Sequence, residues 1–595
     1  MKSKFIKGVA LVPALLCLAS LSSCNEQEVA DTVVYSKVYT SNENHEYAEA
    51  FAVKDGKYIY VGSKEGAQSY IKKGKTNVLD RSGGFIMSGA TEGHGHYVMA
   101  SVLASKDLMF SATSLDDDPK TSAIVFAKQV IARDTEKKEK VYFTYGWSNE
   151  ELKKVKATTD MRSKLDAICP DKPLFLIDDS GHNVFMNSKA IEAAKIDETT
   201  SPNWSIAGGV VSRDSNGRLL GLASDIAMNY VLNAVLKPAG VLSESDFASA
   251  LKHCEKTLHS YGYTNYLDAY TSYFGDCAYQ GISAYDKSVG LDIYMVGSYK
   301  IDAYEDIDKQ VDKAAENMGK YTTERFQPNN IKVFADGECF ENKSAWVYTP
   351  YKNTTEADKY GTKVWEDEAI NKLVKRANSK GVSVHAHASG DHAVDQMVNA
   401  YIAAESSASG SIVNSVGHTA HVTDETLDKM AAHNIPSATN ICWRIKAASY
   451  EESIKDDFDY DYYMGSYPMK RLYDKGVVMA SSTDFPANSG APCDILNIMQ
   501  IATTGTISTT LASPDKYFSM SKSECITLSQ AIEAFTINGA KELGIADKRG
   551  SVEVGKYADF VYLDKDISTC ANISDATIAE VYFEGGITYT GPTEI

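Results

Sequence analysis

Eight short segments between residues 85 and 484 constrain what this chain can fold into. They are Phe85–His96, Tyr263–Ala269, Leu291–Gly297, Ile331–Asp336, Val382–Ala388, Ser415–Val422, Ile435–Asn440 and Val477–Asp484. Each is an apolar or histidine-bearing run of strand length, and helical stretches such as Asp367–Ser379, Ala393–Glu405 and Thr423–His433 lie between them. Strands that alternate with helices build parallel βα units. Eight such strands are the number that closes a (β/α)8 barrel, so the expected fold is α/β, with a TIM-type barrel over residues 85–544. The interval between the first two segments is too long for a single crossover. It contains Val141–Trp147 and Pro173–His182, which predicts an inserted subdomain at about 105–240.

The two ends of the chain read differently. Residues 32–88 alternate short β-like runs with turns, and Lys54-Asp55-Gly56-Lys57 is a hairpin signal. Ser551–Leu563 and Ala579–Tyr589 repeat that style. Chain termini usually lie close together, so residues 32–84 and 545–595 are expected to build one small composite β-sandwich.

Among 595 residues, 60 Lys and Arg oppose 79 Asp and Glu, a formal charge of −19, and 44% of the residues are hydrophobic. That balance excludes a disordered chain and a nucleic-acid binder held by a basic surface, because an acidic surplus repels phosphate. The start of the chain is an address. Lys2, Lys4 and Lys7 precede an apolar run from Val9 to Leu21, too short to span a bilayer, and Leu21-Ser22-Ser23-Cys24 follows. This resembles the lipobox of bacterial lipoproteins. It implies a signal peptide at 1–23, a lipid anchor on Cys24, a polar tether over 24–31, and an exported protein held at a membrane, most simply the outer membrane. The other cysteines are dispersed and form no CxxC pair, which offers neither a disulfide framework nor a thiolate zinc site.

Histidine carries the chemistry. His94 and His96, His385 and His387, and His418 sit at the ends of predicted strands, and Asp484 ends the eighth. Residues two apart on a strand share a face, so His94 and His96 point the same way, as do His385 and His387. The C-terminal strand ends of a barrel converge on one mouth, where active sites form. Imidazoles and a carboxylate gathered there suit Zn²⁺, with Mn²⁺, Fe²⁺ or Ni²⁺ as alternatives. Spacing alone does not choose between His385 and His387.

The motifs occur in a set order: Gly84-Phe85-Ile86-Met87 before Glu92-Gly93-His94-Gly95-His96; Gly181-His182 with Asn187-Ser188-Lys189-Ala190; Lys332-Val333-Phe334-Ala335-Asp336-Gly337; His385-Ala386-His387-Ala388-Ser389-Gly390-Asp391; Val416-Gly417-His418; Ser482-Thr483-Asp484-Phe485-Pro486; and Gly550 through Asp559. Over residues 32–590 this resembles the metal-dependent amidohydrolases, in particular the amidohydrolase-3 group that includes N-substituted formamide deformylases. The resemblance implies one or two divalent ions. His94, His96 and Asp484 would hold the more buried ion, His387 and His418 the second, and a carboxylated Lys332 would bridge the two if both are present. It places His385 a layer below His387, and Asp336 and Asp391 as orienting carboxylates. The sequence departs from the group at Ser88, where relatives have Pro, and at His392, departures that bear on substrate preference rather than on metal binding.

The implied activity is hydrolysis of an amide-like C–N bond in a small molecule by a metal-bound hydroxide. Asp484 moves the proton and His182 contacts the tetrahedral intermediate. A metallo-dipeptidase or an esterase/lactonase would share this site, and a nutrient-binding surface lipoprotein is the alternative outside enzymes. The expected partners are the small-molecule substrate and the membrane lipid, with a homo-oligomer compatible and nucleic acid excluded.

Overall fold

A computed structural model describes residues 28–112, 122–147, 160–197, 209–340, 342–448, 450–487, 491–507 and 517–591. The expected signal peptide, Cys24 and most of the tether lie outside these residues.

The centre is an eight-stranded parallel sheet whose neighbours follow chain order: β1 (Ala90–Gly95), β2 (Tyr263–Asp268), β3 (Tyr294–Lys300), β4 (Phe326–Phe334), β5 (Ser383–Ala388), β6 (Ser415–His418), β7 (Ser437–Thr439) and β8 (Met479–Ser481). The sheet curls until its edges meet just beyond the strands. Asp484 N–H donates to the His94 carbonyl at 2.8 Å, and His96 N–H donates to that of Phe485 at 2.7 Å. Glu92 Oε1 spans the seam from inside, accepting from the backbone N–H of His94 (3.1 Å) and of Thr483 (3.0 Å). The seam therefore brings His94, His96 and Asp484 together through backbone bonds before any side chain interacts.

Helices cover the outer face. Ile307–Tyr321 buries Gln310, Val311, Ala314, Asn317 and Tyr321, a three-to-four-residue spacing that lays one stripe on the sheet. Helix Glu244–Ser260 opens with a reciprocal capping box between Ser243 and Asp246, which satisfies amides that would otherwise lack partners. The expected helix at Asp367–Ser379 is present with those bounds, and the next two expected helices appear as Asp391–Ala404 and Asp424–Ala432.

The first expected strand, Phe85–His96, is two strands. Residues Asn77–Ser88 belong to a different sheet, and β1 begins at Ala90. The change happens across one peptide: Gly89 N–H donates to the Asp559 carbonyl (2.9 Å), whereas Ala90 N–H donates to that of Gly262 in the barrel (3.1 Å). Both halves are buried on both faces, so hydrophobic pattern gives no sign of the division.

That second sheet joins the two chain ends. Its order is Gly586–Thr590, Ile578–Phe583, Phe560–Leu563, Asn77–Ser88, Thr32–Tyr39, Tyr47–Lys54 and Lys57–Gly62. The ends meet where Phe560–Leu563 pairs antiparallel with Phe85–Ser88. Between β1 and β2 in the chain lies a third sheet, of six strands, with the order Gly209–Arg213, Leu219–Asp225, Asn183–Met186, Leu174–Asp178, Tyr142–Trp147 and Met109–Ala112. The turn from Asp178 to Asn183 carries His182.

Arg549 ties the chain's last helices to the terminal sheet. It is 3% exposed, donates to Asp559 at 2.5 Å and also bonds Glu584. Replacing one member of a buried ion network strands the others, at a cost of about 3–5 kcal/mol. Arg549→Met is therefore expected to lower the unfolding free energy by about that amount, read from denaturant titration of the whole chain; a loss under about 1 kcal/mol would show that Arg549 carries no such burden.

Candidate metal centre

The C-terminal strand ends surround a narrow cavity of about 50 Å³. Its lining includes His94, His96, Lys332, His387, His418 and Asp484 from the barrel, and Tyr145, Ser180, Gly181 and His182 from the six-stranded sheet. Ladder register sets the heights: Phe334 pairs with His387, Ala388 with His418, and Lys332 with His385 one layer lower.

His94, His96 and Asp484 offer ligand atoms that all lie within 4.8 Å of one another. Asp484 Oδ1 is 3.1 Å from His96 Nε2 and 3.4 Å from His94 Nε2. Lys332 Nζ is 3.0 Å from His94 Nε2. The other rings crowd in beside them, with His418 centred 4.6 Å from His94 and 4.4 Å from His387.

One pattern recurs among these rings. The nitrogen that faces away from the cavity is engaged, which leaves the other for it. His387 Nδ1 pairs with Asp336 Oδ1 at 3.2 Å, and Asp336 is itself fixed by the N–H groups of Trp346, Ser389 and Gly390. His418 Nδ1 pairs with Asn440 Oδ1 at 2.8 Å while the ring stacks on Trp443 at an interplanar angle of 4°. His94 Nδ1 meets His385 Nε2 at 2.7 Å. His182 Nδ1 meets Asp225 Oδ1 at 2.8 Å. Such outer partners fix the tautomer of a metal-binding imidazole. His385 and His387 are thereby separated: His387 lines the cavity, and His385 sits below it with no face on it.

Electrostatics favours a cation. Burial, then the charge of Lys332, holds His94 well below its ordinary pKa. Burial, then His418, does the same for His387, and burial brings His418 down to about 4. These rings are neutral at physiological pH, with lone pairs to share. Burial opposes ionisation of Asp484, but the His96 hydrogen bond, aided by the neighbouring basic groups, outweighs it and holds the carboxyl below its usual range. Burial brings the Lys332 amine down to about 7, against the pull of Asp484. His182 runs the other way: burial disfavours its charge, yet the hydrogen bond and charge of Asp225 raise it to about 9. The residues fit a metal: His418 Nε2 is buried with no hydrogen-bond partner, which is costly for a polar atom unless something else binds it.

The backbone is strained at the same place. His418, Thr419 and Asp484 have φ of 71°, 48° and 56°, the left-handed region that is unfavourable for side chains, above all β-branched ones. Gly417 precedes them because a Cβ there would lie 2.7 Å from His94 Nδ1 and 2.9 Å from His385 Nε2.

Some residues of the site carry no sequence signal. Asn440 caps and Trp443 lies in a short 3-10 helix, Ile441–Arg444, Asp225 ends the strand Leu219–Asp225, and Glu542 ends the helix Ile537–Glu542, each with a partner distant in the chain. Asp391, expected to orient a ligand, instead accepts from Tyr348 N–H (2.7 Å) and Tyr462 hydroxyl (3.0 Å) and organises loops outside the metal cluster.

Comparison with known proteins identifies the lineage. The model of the amidohydrolase family matches residues 77–589. This chain belongs to the amidohydrolase family. It is 27% identical over 532 residues to the putative amidohydrolase YtcJ of Bacillus subtilis, covering 89% of this chain and 93% of that one. It is 22% identical over 573 residues to the N-substituted formamide deformylase of Arthrobacter pascens, covering 94% and 98%. The crystal structure of an uncharacterized metal-dependent hydrolase from Pyrococcus horikoshii OT3 shares the fold, with a TM-score of 0.67 at 19% identity over 94% of this chain and all of that one. Family and His–His–Asp cluster together support a metal-dependent hydrolase acting on C–N bonds.

Gly417→Ala in this amidohydrolase is expected to displace His94. The added methyl overpacks the cluster by about 1–3 kcal/mol, and the variant should retain less metal after dialysis. Elemental analysis beside an unfolding curve checks both, and full metal retention would contradict the packing described.

Proposed function

We propose that this chain is an exported, membrane-anchored amidohydrolase that cleaves an amide-like C–N bond in a small molecule. The observation that carries the reading is the convergence of His94, His96, Lys332, His387, His418 and Asp484 on one buried cavity. His94, His96 and Asp484 would hold one divalent ion, and His387 and His418 a second. Zn²⁺ is the ion we favour, because neutral imidazoles and a carboxylate suit it. Bound there, the ion polarises a carbonyl and makes water acidic near neutral pH.

The chain's own groups do the rest. Asp484 takes the proton of the attacking water on a carboxylate oxygen and returns it to the leaving nitrogen, base first and acid second. His182, with Nδ1 held by Asp225, keeps Nε2 for the oxygen on which negative charge develops. Lys332, whose amine burial brings down to about 7, would in its neutral form take up CO₂ with loss of a proton, and the resulting carbamate would serve as a further oxygen ligand. Tyr145, Tyr270, Tyr273 and Phe334 also line the cavity and wall off water around the substrate. Cys24 would carry the lipid.

The deciding experiment is purification of the mature chain, metal analysis, and assay against N-substituted formamides, dipeptides and lactones. Turnover of the amide panel, abolished by chelator and restored by Zn²⁺ or Mn²⁺, is expected; metal-free protein that binds but never turns over a ligand would leave the nutrient-binding reading in its place. Asp484→Asn should lower kcat by about 10²–10⁴-fold. His182 is charged below its pKa of about 9 and loses its proton above it, so kcat/KM should fall as pH rises through about 9. That limb should vanish in His182→Gln; an unchanged profile would remove His182 from the reaction.

A further inference from the structure

Beneath the metal cluster lies a buried file of polar groups whose lower members the reaction above does not use. Its upper member, His94, directs Nε2 toward Asp484 and Lys332 and Nδ1 downward to His385 Nε2, 2.7 Å away. His385 directs its own Nδ1 to Ser415 Oγ at 2.7 Å and to Glu542 Oε1 at 3.6 Å. Glu542 closes the file. It is 4% exposed, and neither of its oxygens has a hydrogen-bond partner among the described residues.

Two small residues, Gly93 on β1 and Gly417 on β6, leave room for this file. A Cβ on Gly93 would lie 2.6 Å from Glu542 Oε2, and the Cβ that Gly417 lacks would strike both imidazoles. An acid buried this deeply is expensive in a barrel floor that an apolar side chain would fill, and its neighbours are shaped to keep it.

The direction of the hydrogen bonds follows from the donor and acceptor inventory. If His94 gives the lone pair of Nε2 to a metal, its proton is on Nδ1 and is donated to His385 Nε2. His385 Nε2 is then an acceptor, so the His385 proton is on Nδ1 and must be donated to an oxygen. Ser415 Oγ and Glu542 are the oxygens placed to receive it. Reverse any one link and His94 presents N–H, not a lone pair, to the metal.

We propose that Glu542 is a positioning residue for metal binding: set with Ser415 against His385 Nδ1, it holds His94 in the tautomer and orientation that aim Nε2 at the ion. This rests on His94 being a metal ligand, as the proposed function has it. Outer partners of this kind typically change metal affinity by about 10–100-fold when removed.

The test uses the mature chain with Zn²⁺ alone as the probe. Zn²⁺ affinity is measured by competition with a chromophoric chelator for the wild type, Glu542→Met, Ser415→Ala and the double variant, and ring-nitrogen NMR shifts of ¹⁵N-histidine-labelled apo protein report the tautomers. Glu542→Met is expected to weaken Zn²⁺ by about 10–100-fold and to spread His94 and His385 over both tautomers. Ser415→Ala should do the same by a lesser factor, and the double variant should fall short of the product of the two. If Glu542→Met does not fold, Ser415→Ala decides alone. Wild-type affinity and unchanged nitrogen shifts in the soluble variants overturn the proposal while leaving the metal reading intact; a wild-type chain that binds no Zn²⁺ overturns both.

Discussion

The site depends on keeping imidazole neutral where water cannot reach it. His94, His387 and His418 are buried within a few ångströms of one another, and a charge on any of them would be repelled by Lys332 and poorly solvated. Neutral, each is a lone-pair donor in the lining of one cavity. The one carboxylate among them, Asp484, stays ionised because the surrounding groups stabilise its charge. A cluster assembled on those terms, neutral imidazoles around one carboxylate, has a donor set that suits a divalent ion. Metal binding here follows from burial as much as from the choice of ligands.

That arrangement is held in place by the strand seam. The backbone bonds between the segments that follow β1 and β8 set His94 and Asp484 side by side, and Glu92 fastens the seam from the inner face. The left-handed backbone at His418, Thr419 and Asp484 is affordable because neighbouring strands determine the conformation on either side. Thr419, for instance, donates its N–H to the Ala388 carbonyl at 3.1 Å and takes a hydrogen bond from Ser437 on its hydroxyl. Strain and chemistry thus coincide at the strand ends.

Much of this was legible in the chain, and the reason is periodicity. Parallel strands buried on both faces write themselves as short apolar runs, so the eight segments could be counted, and His94 with His96 could be put on one face. What could not be read depends on distance in space. Two residues apart, His385 and His387 are equivalent in a strand pattern; only Asp336 above and Ser415 below tell them apart. Phe85–His96 reads as one strand because nothing in its hydrophobicity marks the peptide at Gly89 where hydrogen-bond partners change. Nothing in the pattern around Glu542, at the end of a short helix, or Asp225, at the end of a strand, marks either until the fold carries each to a histidine far away in sequence.

The six-stranded sheet contributes His182 to a cavity whose metal-facing groups all come from the barrel. The two sets of residues therefore occupy separate stretches of chain, one written between β1 and β2 and the other spread over the strand ends. Changes within residues 109–225 that spare His182 and its partner Asp225 can reshape the wall of the cavity while the ion-holding groups stay where the barrel strands put them.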